Sequence, residues 1–147
     1  MEVIRLGPQD ERLASHALRL SGDTADLDAS VFLSRPEAAL LVAVDDEDVL
    51  GWVYGHELIH PGGERTMLLY ALDVAEAARR RGVGTELVRA FVQHAEDRRS
   101  TEVWVLTEVD NDAAFATYRS AAGPREPEAS VMFVWPLEAE PPDGHPT

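Results

Sequence analysis

The residues with the clearest chemical potential form a basic, glycine-rich turn, Arg79-Arg80-Arg81-Gly82-Val83-Gly84-Thr85, between an apolar run and a helical pattern. Free N–H groups at a helix N-terminus and the helix dipole attract phosphate, and glycine lets the backbone approach a ligand closely. Arginines at the mouth add charge-assisted donors. The turn therefore predicts a cradle for the pyrophosphate of a nucleotide-like cofactor. The alternative is a plain strand-to-helix turn with solvated arginines.

Two common nucleotide-binding signatures do not fit this turn. The dinucleotide fingerprint requires a third glycine, and the chain has Leu87 at that position. The Walker A pattern requires a lysine, and all 13 basic residues are arginine. The chain also has no cysteine, which excludes a disulfide framework, a thiolate metal site and a cysteine nucleophile.

Acidic side chains near predicted strand ends and loops are the candidates for a general base and for binding a cation. They are Asp73, Glu57 beside His56, and the cluster Glu108, Asp110 and Asp112. Each can accept a proton from a substrate amine or remain a solvated carboxylate, and together they could form an acidic lip for a polycation. Strand alternation places Asp73 and Ala71 on the face opposite Tyr70, Leu72 and Val74, unless a bulge intervenes.

Length and charge limit the classes of protein. The 147 residues predict one domain over 1–137 and a loose tail over 138–147. The net charge of −14 argues against a nucleic-acid partner and favours a cationic one, although acidity also serves solubility alone. The N-terminus lacks an apolar signal region and no apolar run is long enough to span a bilayer, so we expect a soluble, cytoplasmic protein without a membrane partner.

Apolar periodicity predicts the elements that must position these residues. Strands are expected near 3–6, 38–44, 49–58, 66–74, 102–107 and 129–135, and helices near 10–20, 24–34, 83–97 and 111–121. Thr85 is expected to cap the third helix, and Asp110 or Asn111 the fourth. The order β-α-α-β-β-β-α-β-α-β predicts an α/β domain with a mixed sheet, whose late strand-helix-strand unit is parallel.

Two motifs together resemble those of the GNAT superfamily, the Gcn5-related N-acetyltransferases. The first is Arg79-to-Gly84, which matches an Arg/Gln-x-x-Gly-x-Gly/Ala turn after the fourth strand. The second is Asn111-Asp112-Ala113-Ala114-Phe115-Ala116-Thr117-Tyr118, which matches an Asn-x-x-Ala-x-x-x-Tyr helix after the fifth. The resemblance covers nearly the whole chain and implies a mixed central sheet flanked by helices.

The resemblance implies an acetyl-coenzyme A-dependent N-acetyltransferase that works by direct transfer. Backbone N–H groups of residues 81–85 would bind the pyrophosphate, and Asn111 and the backbone of Leu72 and Val74 would bind the pantetheine arm. Tyr118 would protonate the departing thiolate, unless it is only a packing aromatic, and Asp73 is the candidate base. The implied cofactor-binding set is Leu72, Val74, Arg79, Arg80, Arg81, Gly82, Val83, Gly84, Thr85, Asn111, Ala114 and Tyr118.

Four features, namely Arg5-Leu6-Gly7-Pro8, the spacing from Leu40 through Val74, Tyr118, and the ending around Met132-Phe133, resemble the aminoglycoside 3-N-acetyltransferases of this superfamily. That family usually carries a strand carboxylate where this chain has Ala71, and here Asp73 follows two positions later. The resemblance implies an aminoglycoside or a similar small polyamine as substrate. Another small amine, a protein N-terminus, and acyl-coenzyme A binding without turnover remain alternatives. The oligomeric state stays open, with a homodimer as one option because dimers are common in the superfamily.

Overall fold

One five-stranded sheet organises the protein, whose computed structural model describes residues 1–22, 27–121 and 123–138. Its strands lie in chain order: β1 (Glu2–Arg5), β2 (Ala38–Asp45), β3 (Asp48–Ile59), β4 (Arg65–Val74) and β5 (Val103–Val105). Neighbours from β1 to β4 are antiparallel, and β5 is parallel to β4. The predicted mixed sheet and its parallel strand-helix-strand unit are confirmed.

Within the described ranges four α-helices flank the sheet: α1 (Glu11–Leu18), α2 (Ser30–Leu33), α3 (Val83–Asp97) and α4 (Asp112–Ser120). Short 3-10 turns cover Pro8–Asp10, Arg19–Ser21 and Glu76–Ala78. The helix predicted over 24–34 is wrong in its extent, because among the described residues only one turn forms after Asp28, whose carboxylate accepts the N–H of Ser30 at 2.9 Å. Residues 24–26 of that prediction lie outside the described residues.

The sheet has a core on each face. On one face α3 packs its apolar stripe, including the fully buried Leu87 and Phe91, against β2, β3 and β4. Phe91 lies over Gly55, where an added Cβ would be 2.5 Å from its ring and 2.0 Å from the carbonyl oxygen of Leu68. Gly55 therefore lies within a continuous β3 and makes room for the helix. On the other face α1 and α2 pack against Leu40, Val42 and Trp52.

A β-bulge in β4 changes which side chains share a face. Tyr54 pairs with Ala71 and Gly55 pairs with Leu69, which leaves Tyr70 without a partner on β3. The Tyr70 ring stacks on Tyr54, with centroids 5.5 Å apart, and Ala71 packs on the same face of the sheet. Simple alternation is therefore wrong for Tyr70, because the extra residue turns it to the side of Ala71 and Asp73.

The strand predicted at 129–135 does not form. Within 123–138 the chain has no regular secondary structure, and its apolar side chains are exposed. A strand needs a neighbouring strand for its backbone N–H and C=O groups, and in a single chain these residues have none. Apart from Glu138, the predicted tail lies outside the described residues.

Candidate functional site

The site begins where β4 and β5 separate. β5 pairs with β4 only from Met67 to Leu69, so the edge of β4 from Tyr70 to Val74 has no strand beside it. The N–H of Ala75 donates to Leu50 O on β3, and alternate residues of a strand direct their N–H groups to opposite edges. The backbone groups of Leu72 and Val74 therefore face the open edge.

The glycine-rich turn lies at the end of this edge and begins α3. Arg80 (φ 61°) and Gly82 (φ 77°) both adopt the left-handed region, which folds the backbone back toward β4. Gly82 is the N-cap of α3, so the predicted cap Thr85 lies instead in the first turn. The helical ladder starts with Glu86 N–H on Gly82 O at 3.1 Å. The N–H groups of residues 83–85 precede it and are available to an anion.

The three arginines of the turn do not share one position. Arg79 donates its Nε to Val74 O at 3.3 Å and, with Arg80, lines the space beside β4. Arg81 is exposed and reaches toward Asp45 on β2, at 4.0 Å. Two of the three arginines therefore line the cleft.

The helix α4 forms the opposite wall. Asn111 caps it by accepting the N–H of Ala114 at 3.1 Å, which confirms the predicted cap. This bond occupies Oδ1 and leaves the amide Nδ2 as the donor for a ligand. About two helical turns after Asn111, Tyr118 is half-buried, and burial raises the pKa of its hydroxyl. The hydroxyl therefore keeps its proton at neutral pH and can act as an acid.

Together β4, the turn and α4 enclose a cleft of about 820 Å³. Its walls contain eleven of the twelve residues predicted to bind a cofactor, with Arg81 as the exception, and Asp73 as well. The α3 and α4 walls meet closely, since an added Cβ at Gly84 would be 3.1 Å from the methyl of Thr117. Further lining residues that the motifs did not indicate are Ala78, Thr107, Ala113, Ala116, Thr117 and Ser120.

Asp73 is held by two hydrogen bonds at the inner end of this cleft. Its Oδ1 accepts the N–H of Val74 at 2.9 Å, and its Oδ2 accepts the hydroxyl of Ser21 at 2.7 Å. Ser21 lies 52 positions earlier in the chain, and a lone serine at the end of a helix gives no sequence signal for this contact. The predicted candidate base thus lies where the cleft meets the α1 face of the sheet.

Glu57 lies apart from the cleft and is engaged in an ion pair. Its side chain is 2% exposed and accepts Arg98 Nε at 2.8 Å and Nη2 at 3.1 Å, with Arg65 at 3.4 Å. The hydrogen bonds from Arg98 hold the pKa of the Glu57 carboxyl below its ordinary value. This pair anchors the end of α3 to β3, and the structure does not bring Glu57 together with Asp73.

The remaining acidic candidates are exposed on the segment between β5 and α4. Glu108 and Asp110 precede the cap residue Asn111, and Asp112 opens α4. They flank the cleft rather than line it. His56 lies on the face of the sheet that α1 and α2 cover. Its ring meets the ring of Phe32 edge-on, with the two centroids 5.4 Å apart.

Comparison with known proteins identifies the family. The sequence model of the acetyltransferase (GNAT) family matches residues 9–123, which include every element from α1 to α4. The chain belongs to the acetyltransferase (GNAT) family. The turn, the open edge of β4 and the Asn111 helix all lie within the matched residues.

Curated relatives and solved structures agree with this placement. The chain is 31% identical to human N-acetyltransferase 8 over 119 residues, which cover 80% of this chain and 52% of that protein. It spans about half or less of the curated relatives that it matches. An aminoglycoside acetyltransferase from an uncultured soil metagenomic sample, solved with sisomicin, superposes with a TM-score of 0.86 at 22% identity and covers 93% of this chain and 96% of its own.

A second solved structure of similar fold contains coenzyme A. This aminoglycoside N-acetyltransferase superposes with a TM-score of 0.74 at 16% identity, over 92% of this chain and 100% of its own. At these identities the two structures establish the fold. Within the part of the chain that the structure describes, no helix combines the length and apolar character needed to cross a bilayer.

Proposed function

We propose that the protein binds acetyl-coenzyme A in the cleft between β4 and α4 and transfers the acetyl group directly to an amine. The observation that carries this proposal is the convergence of three features on one cleft. They are the open edge of β4 at Leu72, next to a Val74 backbone that Asp73 and Arg79 engage, the free N–H groups of residues 83–85, and the protonated Tyr118 hydroxyl. Each matches a different part of the cofactor: an extended amide arm, a pyrophosphate and a thiol leaving group.

The residues present fit this cofactor. Backbone groups on an unpaired strand edge bind an extended amide chain as an added strand would. The first turn of α3 offers N–H donors and the positive end of the helix dipole, and Arg79 and Arg80 add positive charge. The cleft of about 820 Å³ is within the usual range for cofactor sites.

When bound, acetyl-coenzyme A supplies an activated acetyl thioester. An uncharged amine accepts its acetyl group, and the thiol is released. The chain's own groups stabilise charge and move protons. The N–H of Leu72, which faces the open edge, is the donor for negative charge on the carbonyl oxygen. Tyr118 gives its proton to the sulfur, and Asp73 accepts a proton from the amine, directly or through one water.

The acceptor is proposed to be an aminoglycoside or a similar small polyamine. The net charge of −14 attracts polycations, and Asp73, Glu108, Asp110 and Asp112 place carboxylates at or beside the cleft. Glu57 is left out of this set because Arg98 already pairs with it. A structural neighbour solved with sisomicin is named an aminoglycoside acetyltransferase, which adds support by analogy of fold.

An aromatic ladder on the α1 side of β4 favours an acceptor that contains a ring. Trp52, Tyr54 and Tyr70 stack in a row with centroids 5.5 Å apart, and Tyr70 is 62% exposed. Sugar rings and cations both bind well over aromatic faces. The ladder and Asp73 project from the same face of the sheet, so an amine held at Asp73 would have Tyr70 beside the rest of its molecule.

The test is a thiol-release assay with acetyl-coenzyme A across a panel of amines. We expect turnover with aminoglycosides, and a kcat/KM that falls as ionic strength rises because salt screens the acidic steering. Turnover only with peptides would select a protein N-terminus as acceptor, in line with the fission yeast relative named N-alpha-acetyltransferase 30. Binding of coenzyme A without thiol release from any amine would select the non-catalytic acyl-coenzyme A-binding alternative.

A further inference from the structure

The hydrogen bond between Ser21 and Asp73 joins the helical layer to the sheet at the candidate base. The Ser21 hydroxyl donates to Asp73 Oδ2 at 2.7 Å, a distance typical of a hydroxyl on an ionised carboxylate. Such charge-assisted bonds are about twice as strong as bonds between neutral groups. Ser21 belongs to the 3-10 turn Arg19–Ser21 at the end of α1. Within the described residues, no other side-chain hydrogen bond joins this turn to β4.

The surroundings of Asp73 show what the serine adds. Asp73 Oδ1 accepts the N–H of Val74 at 2.9 Å, and the buried Trp52 is its cross-strand neighbour on β3. The terminal torsion of an aspartate side chain is broad, so a single bond to the next residue does not fix the plane of the carboxylate. The Ser21 hydroxyl fixes that plane from the other oxygen. A carboxylate has about four lone-pair positions, so it can still accept a bond from an amine or a water.

The backbone after Ser21 keeps the hydroxyl in place. Gly22 has φ 118° and ψ −149°, a conformation that is essentially restricted to glycine, and its N–H closes the turn on Arg19 O at 3.3 Å. The turn therefore ends at Ser21 in one defined geometry. Of the two bonded residues, Asp73 lines the cleft and Ser21 does not. An effect of Ser21 on the reaction would thus act through Asp73.

We propose that Ser21 is a positioning residue that holds the Asp73 carboxylate in place for the acceptor amine. The inference rests on the proposed function, in which Asp73 accepts a proton from the amine, and Ser21 keeps its own proton throughout. A base must lie within about 2.6–3.2 Å of the proton's donor atom, or be linked to it by one water. A misplacement of about 1 Å can lower a rate about 100-fold. Loss of the hydroxyl would free the carboxylate to rotate but leave its negative charge.

The first test is thiol-release kinetics with acetyl-coenzyme A and sisomicin, or with the panel amine that reacts fastest if sisomicin does not. Ser21→Ala is expected to lower kcat about tenfold, with the KM for the amine within about twofold because the charge of Asp73 remains. The Kd for coenzyme A should not change, since Ser21 lies outside the cleft. Ser21→Thr keeps a hydroxyl and should recover most of the native kcat.

Ser34 supplies the matched control. It is also an exposed serine at the end of a helix, and its hydroxyl donates at 2.7 Å, but to Val31 O within its own turn. Ser34→Ala should therefore keep the native kcat. Circular dichroism and urea unfolding of each variant establish that the fold is intact, because a serine that only anchors the turn would lower the free energy of unfolding without changing kcat.

A double-mutant cycle tests whether the serine acts through the carboxylate. Asp73→Asn removes the base, and in that background Ser21→Ala should lower kcat no further, because the two residues act as one unit. A loss that persists in the Asp73→Asn background, a native kcat for either single variant, or a folded Ser21→Thr that recovers nothing would overturn the role of Ser21. A native protein that releases no thiol with any amine would refute the proposed function and this role together, whereas native turnover that Ser21→Ala leaves unchanged refutes the role alone.

Discussion

Gly82 offers the sharpest test of the proposed pyrophosphate cradle. It lies at φ 77°, and an added Cβ there would meet no atom within 4 Å. A substitution therefore has room in the folded protein and costs mainly the left-handed backbone, about 1 kcal/mol for an L-residue. Gly63, in the loop between β3 and β4, is the matched control, with φ 89° and equally open surroundings. Gly82→Glu and Gly63→Glu should lose similar free energies of unfolding.

Coenzyme A binding should separate the two variants. A glutamate at Gly82 would place its carboxylate at the N-terminus of α3, beside the proposed pyrophosphate. At about 5 Å in water, repulsion by two phosphate charges amounts to about 1.5 kcal/mol, which is about tenfold in Kd. The side chain also fills the space that the ligand needs, so tenfold is the lower bound. Gly63→Glu should keep the wild-type Kd.

Isothermal titration calorimetry with coenzyme A measures this difference directly. A third variant, Gly82→Gln, adds the same bulk without charge and should bind with an intermediate Kd. The gap between the glutamate and glutamine variants should narrow as salt rises from 0.05 to about 0.5 M, because the Debye length shortens. A wild-type Kd for Gly82→Glu, in a protein whose thermal unfolding is shifted only by the backbone cost, would place the pyrophosphate elsewhere and refute the cradle.

Three further substitutions test other parts of the structure. Tyr118→Phe should lower kcat for thiol release by about 100-fold while the Kd for coenzyme A stays within about twofold, since only the acid is lost; an unchanged kcat would remove Tyr118 from the mechanism. Gly55→Ala should lower the free energy of unfolding in urea by about 3 kcal/mol, because its Cβ would clash with a β4 carbonyl oxygen, whereas Gly62→Ala, with open space around it, should cost little. Arg98→Ala should cost about 3 kcal/mol at pH 7, because it removes the two shorter hydrogen bonds of the buried Glu57 and leaves that carboxylate with the 3.4 Å contact to Arg65. Since the pKa of Glu57 is lowered in the folded protein, the contribution of the pair is complete above the ordinary glutamate range and is lost as pH falls through it; urea titrations that show the same deficit at pH 7 and pH 4 would contradict this assignment.

The sequence predicted the sheet and most of the cleft because local signals define both. Apolar periodicity locates β2, β3, β4 and α3 to within one or two residues of the observed bounds. The glycine-rich turn and the cap at Asn111 are local motifs, and each depends on contacts of a few neighbouring residues.

What the sequence did not show depends on contacts between distant residues. The bulge at Tyr70 follows from the register of β4 against β3, and the partner of Asp73 is a serine 52 positions away. The buried Glu57 is paired with Arg98, which lies 41 positions later and reaches back from the end of α3. The strand predicted at 129–135 is wrong, because a strand requires a neighbouring strand and the described residues of the single chain supply none beside this segment.

Contacts hold the helix α3 at both of its ends, so that the helix connects the cleft with the end of β3. At its first turn Gly84 lies against Thr117 of α4, and at its last turn Arg98 is held by Glu57. Fifteen residues of helix make this link about 22 Å long. A ligand that orders the first turn of α3 therefore restrains the whole helix, because its last turn is held on β3 by the ion pair of Arg98 with Glu57. Amide hydrogen exchange around Arg98 should slow when coenzyme A binds, although Arg98 does not line the cleft.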